Sequence, residues 1–306
     1  TYARKDDLCG VSYVYGLAVA VYPDDRGCGQ VTAIDAGTGR RNTARTSYSD
    51  QRITLRSDGN VILSAGPTRL ELWRSDLVRM ISYGEIDARV KPANQGLGTG
   101  CTLMSAAASS SQVSVLEACR DQQDLRLTLL EPAKEEDEPD TKNVPLAGVS
   151  VDSEARVLAV SDSTTAVYLP TPKPEVVVYD ETGTRVSTTP LSKAPVLANP
   201  ARAVTRAGDL FTWWTGDSVE VFDSRLRHRF TIATAGTLIP LGPATMMAGK
   251  LLIPVAGGIG VFNPTTGEHE RVILVDHPVG PGPVVPGVSG SVVVEQRGDQ
   301  LAAFGA

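Results

Sequence analysis

The chain has 306 residues, 29 basic against 35 acidic side chains, 42% hydrophobic and 5% aromatic content, 29 Gly, 20 Pro and 4 Cys. Its formal charge of −6 excludes a sequence-independent nucleic-acid binder, which needs a basic face. No apolar run reaches the ~18 residues of a membrane-spanning helix, and the length calls for two domains or one radially repeated architecture.

Helical periodicity is nearly absent. A short apolar–polar alternation ending in a bulky residue and a turn recurs instead, as strands require. In chain order the copies are VTAID from Val31, LELWR from Leu70, LTLLE from Leu127, VVVYD from Val176, VEVFD from Val219, IGVFN from Ile259 and LAAFG from Leu301. Their spacing runs from 39 to 57 residues and averages 45. A period of about 40–45 with several strands per unit is that of a β-propeller blade.

A second strand precedes each copy: LAVAVY from Leu17, NVILSAG from Asn60, VSVLEAC from Val113, TTAVYLP from Thr164, LFTWWTGD from Leu210, KLLIPVAG from Lys250 and SVVVEQRGD from Ser291. Gly16, Gly59, Gly208, Gly249 and Gly290 stand just before five of them, where a tight hairpin needs positive φ. Weaker small-residue runs upstream, such as VSYV, VSVD (149–152) and ATMM, read as inner strands. DAGTG from Asp35, DETG from Asp180 and NPTTG from Asn263 are turns capped by Asp or Asn, each leading to a polar fourth strand such as HRFTIAT or HERVILVD. The expectation is an all-β chain, one β-propeller domain over 1–306, with seven four-stranded blades; six or eight stay open. The last copy runs out at Ala306, so Thr1 to Arg4 is expected to supply its fourth strand and close the ring.

Cys9, Cys28, Cys101 and Cys119 lack CxxC spacing and sequence-neighbouring His, a poor fit to zinc. Two disulfides fit better. Of three connectivities the sequential one, Cys9–Cys28 and Cys101–Cys119, keeps each bond within one repeat; each would stabilise by roughly 3 kcal/mol. Such bonds persist in oxidising compartments, so the chain is expected outside the cytoplasm. A first residue that is Thr rather than Met is expected of a chain whose leader or anchor lies upstream.

The turn pattern strand, A-x-D-x-x-TG resembles the repeats of quinoprotein-type (PQQ-like) propellers. YPDDRGCGQVTAIDAGTG and GPTRLELWRSDLVRMISYGE make the chain similar to extracytoplasmic propeller domains of mycobacterial and other actinobacterial membrane-anchored, alanine- and valine-rich proteins. Scarce Lys with abundant Ala, Val and Gly also suits a GC-rich genome. The resemblance implies an upstream single-span anchor, a domain facing the cell envelope, and no known reaction. Quinoprotein dehydrogenases carry adjacent cysteines over their cofactor; this chain has no Cys-Cys, and no cofactor is expected.

Few residues suggest chemistry. His228, His269 and His277 are the histidines. His269 stands between Glu268 and Glu270, whose side chains alternate away from its own. His277 opens a Pro/Gly-rich loop and reads as a surface histidine. No nucleophile elbow, HExxH, Walker or dinucleotide fingerprint is present. Asp24 and Asp25 lack regular calcium-loop spacing, and the acidic run 135–140 reads as a solvated, mobile insertion. Phe211, Trp213 and Trp214 read as core. Arg225, Arg227, His228 and Arg229 form a basic patch that reads as a solvated edge.

The expected function is a non-catalytic extracytoplasmic scaffold docking a cell-envelope protein through long loops on one rim: residues 22–28, 91–100, the acidic run and 277–286. Asp24, Asp25, Arg26, Glu135, Glu136 and His277 are the candidate contacts. No nucleic acid is expected, no metal, and no membrane contact except through an anchor outside the chain. Two alternatives stand. A carbohydrate-binding module needs an exposed ring such as Trp73 or Trp214, and a lactonase-like hydrolase needs acidic or His side chains on the inner strands.

Overall fold

The computed structural model describes residues 7–85, 97–120, 122–196, 203–277, 282–298 and 300–305. Every regular element among them is a β-strand, and the strands form seven antiparallel sheets, the blades of a β-propeller. Two compact units divide them, Thr1–Thr188 and Thr189–Ala306.

The first unit holds four blades. Blade 1 is β1 (Gly10–Val14), β2 (Leu17–Asp24), β3 (Gly27–Asp35) and β4 (Arg41–Thr46); blade 2 is β5 (Thr54–Asp58), β6 (Val61–Ala65), β7 (Arg69–Arg74) and β8 (Arg79–Gly84). Blade 3 is β9 (Cys101–Ala108), β10 (Val113–Cys119), β11 (Asp124–Glu131) and β12 (Asp140–Ser150); blade 4 is β13 (Arg156–Ser161), β14 (Thr164–Leu169), β15 (Glu175–Tyr179) and β16 (Arg185–Pro190). In the second unit blade 5 is β17 (Val204–Ala207), β18 (Leu210–Trp214), β19 (Ser218–Phe222) and β20 (His228–Ala233). Blade 6 is β21 (Thr245–Met247), β22 (Lys250–Val255), β23 (Gly258–Phe262) and β24 (His269–Leu274), and blade 7 is β25 (Val284–Ser289), β26 (Val292–Arg297) and β27 (Gln300–Gly305).

All seven copies of the repeat are third strands and all seven preceding runs are second strands. Blade 7 has three strands among the described residues; the closing strand expected from Thr1 to Arg4 lies outside them. One inner strand differs from expectation. Val149 and Ser150 end β12, and β13 from Arg156 is the first strand of blade 4.

Burial follows strand position. In blades 1 to 6 the second and third strands are largely covered on both faces, as in β15 and β23, because each blade stacks between neighbours, and continuous apolar runs such as VVVY satisfy both sides; β27 of blade 7 stays largely exposed. Fourth strands such as β4 and β24 are largely exposed and correspondingly polar. The core therefore lies between blades. Val19, Val21 and Val31 of blade 1 pack on Ile62 and Trp73 of blade 2, and Val219 and Val221 of blade 5 pack on Leu251, Ile253 and Phe262 of blade 6.

The hairpin glycines Gly16, Gly59, Gly208, Gly249 and Gly290 all have φ between 58° and 79°, the left-handed region where a Cβ is disfavoured. In the third-to-fourth turns, the Asp180 carboxylate accepts the N–H groups of Thr182 and Thr184, both at 2.9 Å. The Thr182 hydroxyl and these backbone bonds hold that carboxyl below its ordinary value. Blades 2 and 5 use buried leucines there instead of glycine: Leu77 has φ 64° and Leu226 φ 59°.

Cys9 pairs with Cys28 and Cys101 with Cys119. Cys28 lies inside the core between blades 1 and 2. Replacing both Cys9 and Cys28 by Ser is expected to cost about 3 kcal/mol, read as a lower urea midpoint.

Candidate interaction surface

Three of the six expected contacts, Asp24, Glu136 and His277, are held in structural hydrogen bonds or ion pairs. Asp24 closes the β2–β3 hairpin: Oδ1 accepts the N–H of Arg26 (2.9 Å) and Gly27 (3.1 Å), and Oδ2 accepts Gln30 Nε2 (2.9 Å). The Gln30 hydrogen bond, ahead of the two backbone ones, holds its carboxyl below the usual value. Its oxygens are committed to shaping the turn. Asp25 and Arg26 stay exposed at the tip.

The acidic run is a structured hairpin. It joins β11 to β12, a third-to-fourth connection. It therefore leaves blade 3 at the end opposite the β10–β11 hairpin and cannot share the expected rim. Glu136 forms an ion pair with Arg79, and its carbonyl accepts the Ser82 N–H at 2.7 Å. This segment of blade 3 thus covers the outer strand of blade 2 instead of standing free in solvent. Glu135 beside it is exposed.

His277 is not a surface residue. Its side chain is 1% exposed; Nδ1 donates to the Val255 carbonyl (2.9 Å) and Nε2 bonds Glu295 Oε2 (2.8 Å). Arg297 donates to the same carboxylate oxygen through Nη2 (2.8 Å) and Nε (3.1 Å), and through Nη1 to the Asp276 carbonyl (3.0 Å). This cluster ties the segment after β24 to the second strands of blades 6 and 7. Of the other proposed rim loops, residues 91–96 and 278–281 lie outside the described residues.

Three further buried glutamates follow this plan. Glu71 Oε1 accepts Arg69 Nη2 (2.7 Å) and Arg79 Nη1 (3.0 Å), while Oε2 accepts Trp73 Nε1 and the Ser47 hydroxyl, both at 2.8 Å. Burial alone would raise its carboxyl, but the Arg69 and Arg79 guanidiniums and Trp73 outweigh it and hold it below the ordinary 4.5. Glu117 accepts the Tyr83 hydroxyl (2.9 Å); burial, then this carboxylate, pushes the phenol's pKa up. Glu220 accepts Thr231 Oγ1 (2.7 Å) and bonds His228 Nε2 (2.9 Å).

Neither tryptophan named for sugar stacking is an exposed ring. Trp73 is 1% exposed and donates to Glu71; Trp214 is half-buried and donates to the Pro240 carbonyl (3.0 Å). Cys101, Glu117 and Cys119 place ligand atoms within 4.8 Å of one another, but both sulfurs are bonded to each other, so this donor set does not fit a metal.

What the surface does offer is the first hairpin of blade 1. Val11, Tyr13 and Tyr15 are 57%, 63% and 79% exposed. Val11 and Tyr13 alternate on one face of β1 while Val14 is buried. Tyr15 (φ 52°) and Gly16 (φ 79°) form a two-residue turn between the paired Val14 and Leu17. Two positive φ values make it the type I′ geometry that matches strand twist. A non-glycine residue in that region is uncommon, and here it holds an aromatic ring outward.

No protein-family model matches the chain, and no curated protein matches it. Among solved structures it is similar to BamB from Moraxella catarrhalis, at 15% identity and a TM-score of 0.57 over 99% of this chain and 86% of that one. A structure of the Mitotic Checkpoint Complex gives 10% identity and a TM-score of 0.53, over 98% and 88% of the two chains. Dihydro-heme d1 dehydrogenase NirN in complex with DHE gives 18% and 0.54, over 97% of this chain and 63% of that chain. The fold is a β-propeller. At these identities the likeness carries the fold alone, since propellers host unrelated functions.

Proposed function

We propose that this chain is a non-catalytic, extracytoplasmic interaction domain that docks a cell-envelope protein through the β1–β2 hairpin. The exposed row Val11, Tyr13 and Tyr15 carries the reading. Tyrosine supplies large contact area for little conformational entropy and is enriched at protein interfaces. Two disulfides support an oxidising compartment, so the partner is a protein of that compartment. The actinobacterial resemblance supports a tether upstream of the chain, and a propeller-like chain within the Mitotic Checkpoint Complex is in keeping with a place in a protein assembly.

The test uses the protein in its native envelope. The double variant Tyr13→Ser, Tyr15→Ser is expected to lose its co-purifying partner at least about tenfold, as removal of interface aromatic anchors does. Its stability should change by less than about 0.5 kcal/mol per site, because both rings face solvent. Arg225→Ser with Arg229→Ser, exposed on the β19–β20 turn and on β20, should retain the partner. Equal recovery from the tyrosine variant and the wild type would remove the hairpin from the interface.

A further inference from the structure

The two disulfides stand in different surroundings. Cys28 is enclosed in the core between blades 1 and 2, its sulfur 3.2 Å from the Gln51 carbonyl oxygen. Cys101 and Cys119 are both half-buried and line an open pocket of about 390 Å³ with Thr68, Glu85, Gly100 and Arg120. They face each other directly in the β9–β10 ladder, where Ala118 pairs Thr102 and Glu117 pairs Leu103. The register is held by these neighbours and by the pairs running on to Val113 and Ala108, so opening the S–S bond frees no segment of chain.

Beside Cys101 Sγ lies a guanidinium with hydrogen-bonding capacity to spare. Arg126 Nη2 is 3.5 Å from Cys101 Sγ and 3.4 Å from Glu117 Oε2, both long contacts. Its buried Nε has no partner, whereas buried N–H donors are ordinarily satisfied. A negative charge developing on Cys101 Sγ would strengthen the contact at Nη2, since cations beside sulfur stabilise thiolates; this works against the Glu117 carboxylate, which shares the guanidinium and lies within 4.8 Å of both sulfurs.

We infer that Cys101–Cys119 is an exchangeable disulfide that accepts two electrons from a dithiol entering this pocket. The donor's first thiol loses its proton to solvent and attacks Cys119 Sγ; the S–S bond breaks and Cys101 leaves as a thiolate beside Arg126. The donor's second thiol, deprotonated in turn, then attacks its own sulfur in the mixed disulfide and expels Cys119 as a thiolate. Two protons from solvent complete the balance. The donor becomes a disulfide, and Cys101 and Cys119 become two thiols. Exchange of this kind depends on access and on the stability of the leaving thiolate, and the pocket and Arg126 supply these. Cys9–Cys28, in which Cys28 is enclosed in the core and Cys9 is half-buried against it, is the internal comparison.

The test is timed reduction of the folded protein with dithiothreitol as the dithiol, acid quench, alkylation and mass mapping, with circular dichroism followed in parallel. Cys101 and Cys119 are expected to be labelled about 100-fold faster than Cys9 and Cys28, with the β-sheet spectrum unchanged. Arg126→Met should slow that reduction about tenfold while Arg126→Lys retains most of the rate, since a leaving thiolate less stabilised leaves more slowly. Equal rates for the two disulfides, or reduction of Cys101–Cys119 only together with loss of the sheet spectrum, would overturn the proposal. So would a folded Arg126→Met protein reduced at the wild-type rate.

Discussion

Glu71→Gln is expected to destabilise the protein by about 3–5 kcal/mol, the usual cost of removing one partner of a buried ion pair. Arg69 is nearly as buried as Glu71, and no other carboxylate is paired with it among the described residues. The amide keeps the shape and accepts some of the same hydrogen bonds, so the loss isolates the charge. Acid should produce the same effect in the wild type. The folded carboxyl is held below its ordinary 4.5, so the unfolded chain takes up its proton first. The stabilisation is complete above the unfolded value and is lost as pH falls through the folded one. Urea midpoints measured across the acid range should fall steeply below about pH 4.5 in the wild type and less steeply in Glu71→Gln. Parallel profiles would mean that Glu71 is not the group being titrated.

In the second unit, Glu295→Gln is expected to cost about 3 kcal/mol or more, because its carboxylate is fully buried and holds both Arg297 and His277. His277→Ala should lose less alone, since Arg297 still pairs with the carboxylate. The double variant should show a coupling of at least about 1 kcal/mol, as contacting residues do. Additive losses would mean that the 2.8 Å contact between His277 and Glu295 contributes nothing to stability.

These clusters mark where the sequence was legible and where it was not. The third-strand copies from Val31 to Ile259 stood out because a strand packed on both faces must be apolar at nearly every position; the copy at Leu301, largely exposed, was legible only by its spacing. The hairpin glycines were legible for an equally local reason, their positive φ. Glu71, Glu117, Glu220 and Glu295 were missed because each follows an apolar neighbour and reads as the solvent-facing half of an alternating strand. In a blade that half faces the next blade. The usable signal was the glutamate's place inside a second or third strand, LELWR, VSVLEAC, VEVFD or VVVEQR, where no face is free.

Other misses turn on partners distant in sequence. Composition alone makes 135–140 a solvated run, but Arg79 lies 57 residues before Glu136. His277 opens a loop rich in Pro and Gly, yet Glu295 on a neighbouring strand draws it inside. Leu77 and Leu226 hid their turns by occupying the left-handed position usually given to glycine, their burial offsetting the backbone cost. In VSYVY the alternation of Val11, Tyr13 and Tyr15 against Ser12 and Val14 was available. The small residues of the run mark an inner strand, and that reading alone gives no account of the exposed aromatic row.

The most direct measurement is in-cell crosslinking with a photoreactive phenylalanine placed at Tyr13 and, separately, at Arg225. Docking through the β1–β2 hairpin predicts one discrete envelope-protein adduct from position 13, lost when Tyr15→Ser is added, and no such adduct from position 225. An absence of adducts at position 13, or the same adducts from both positions, would contradict it.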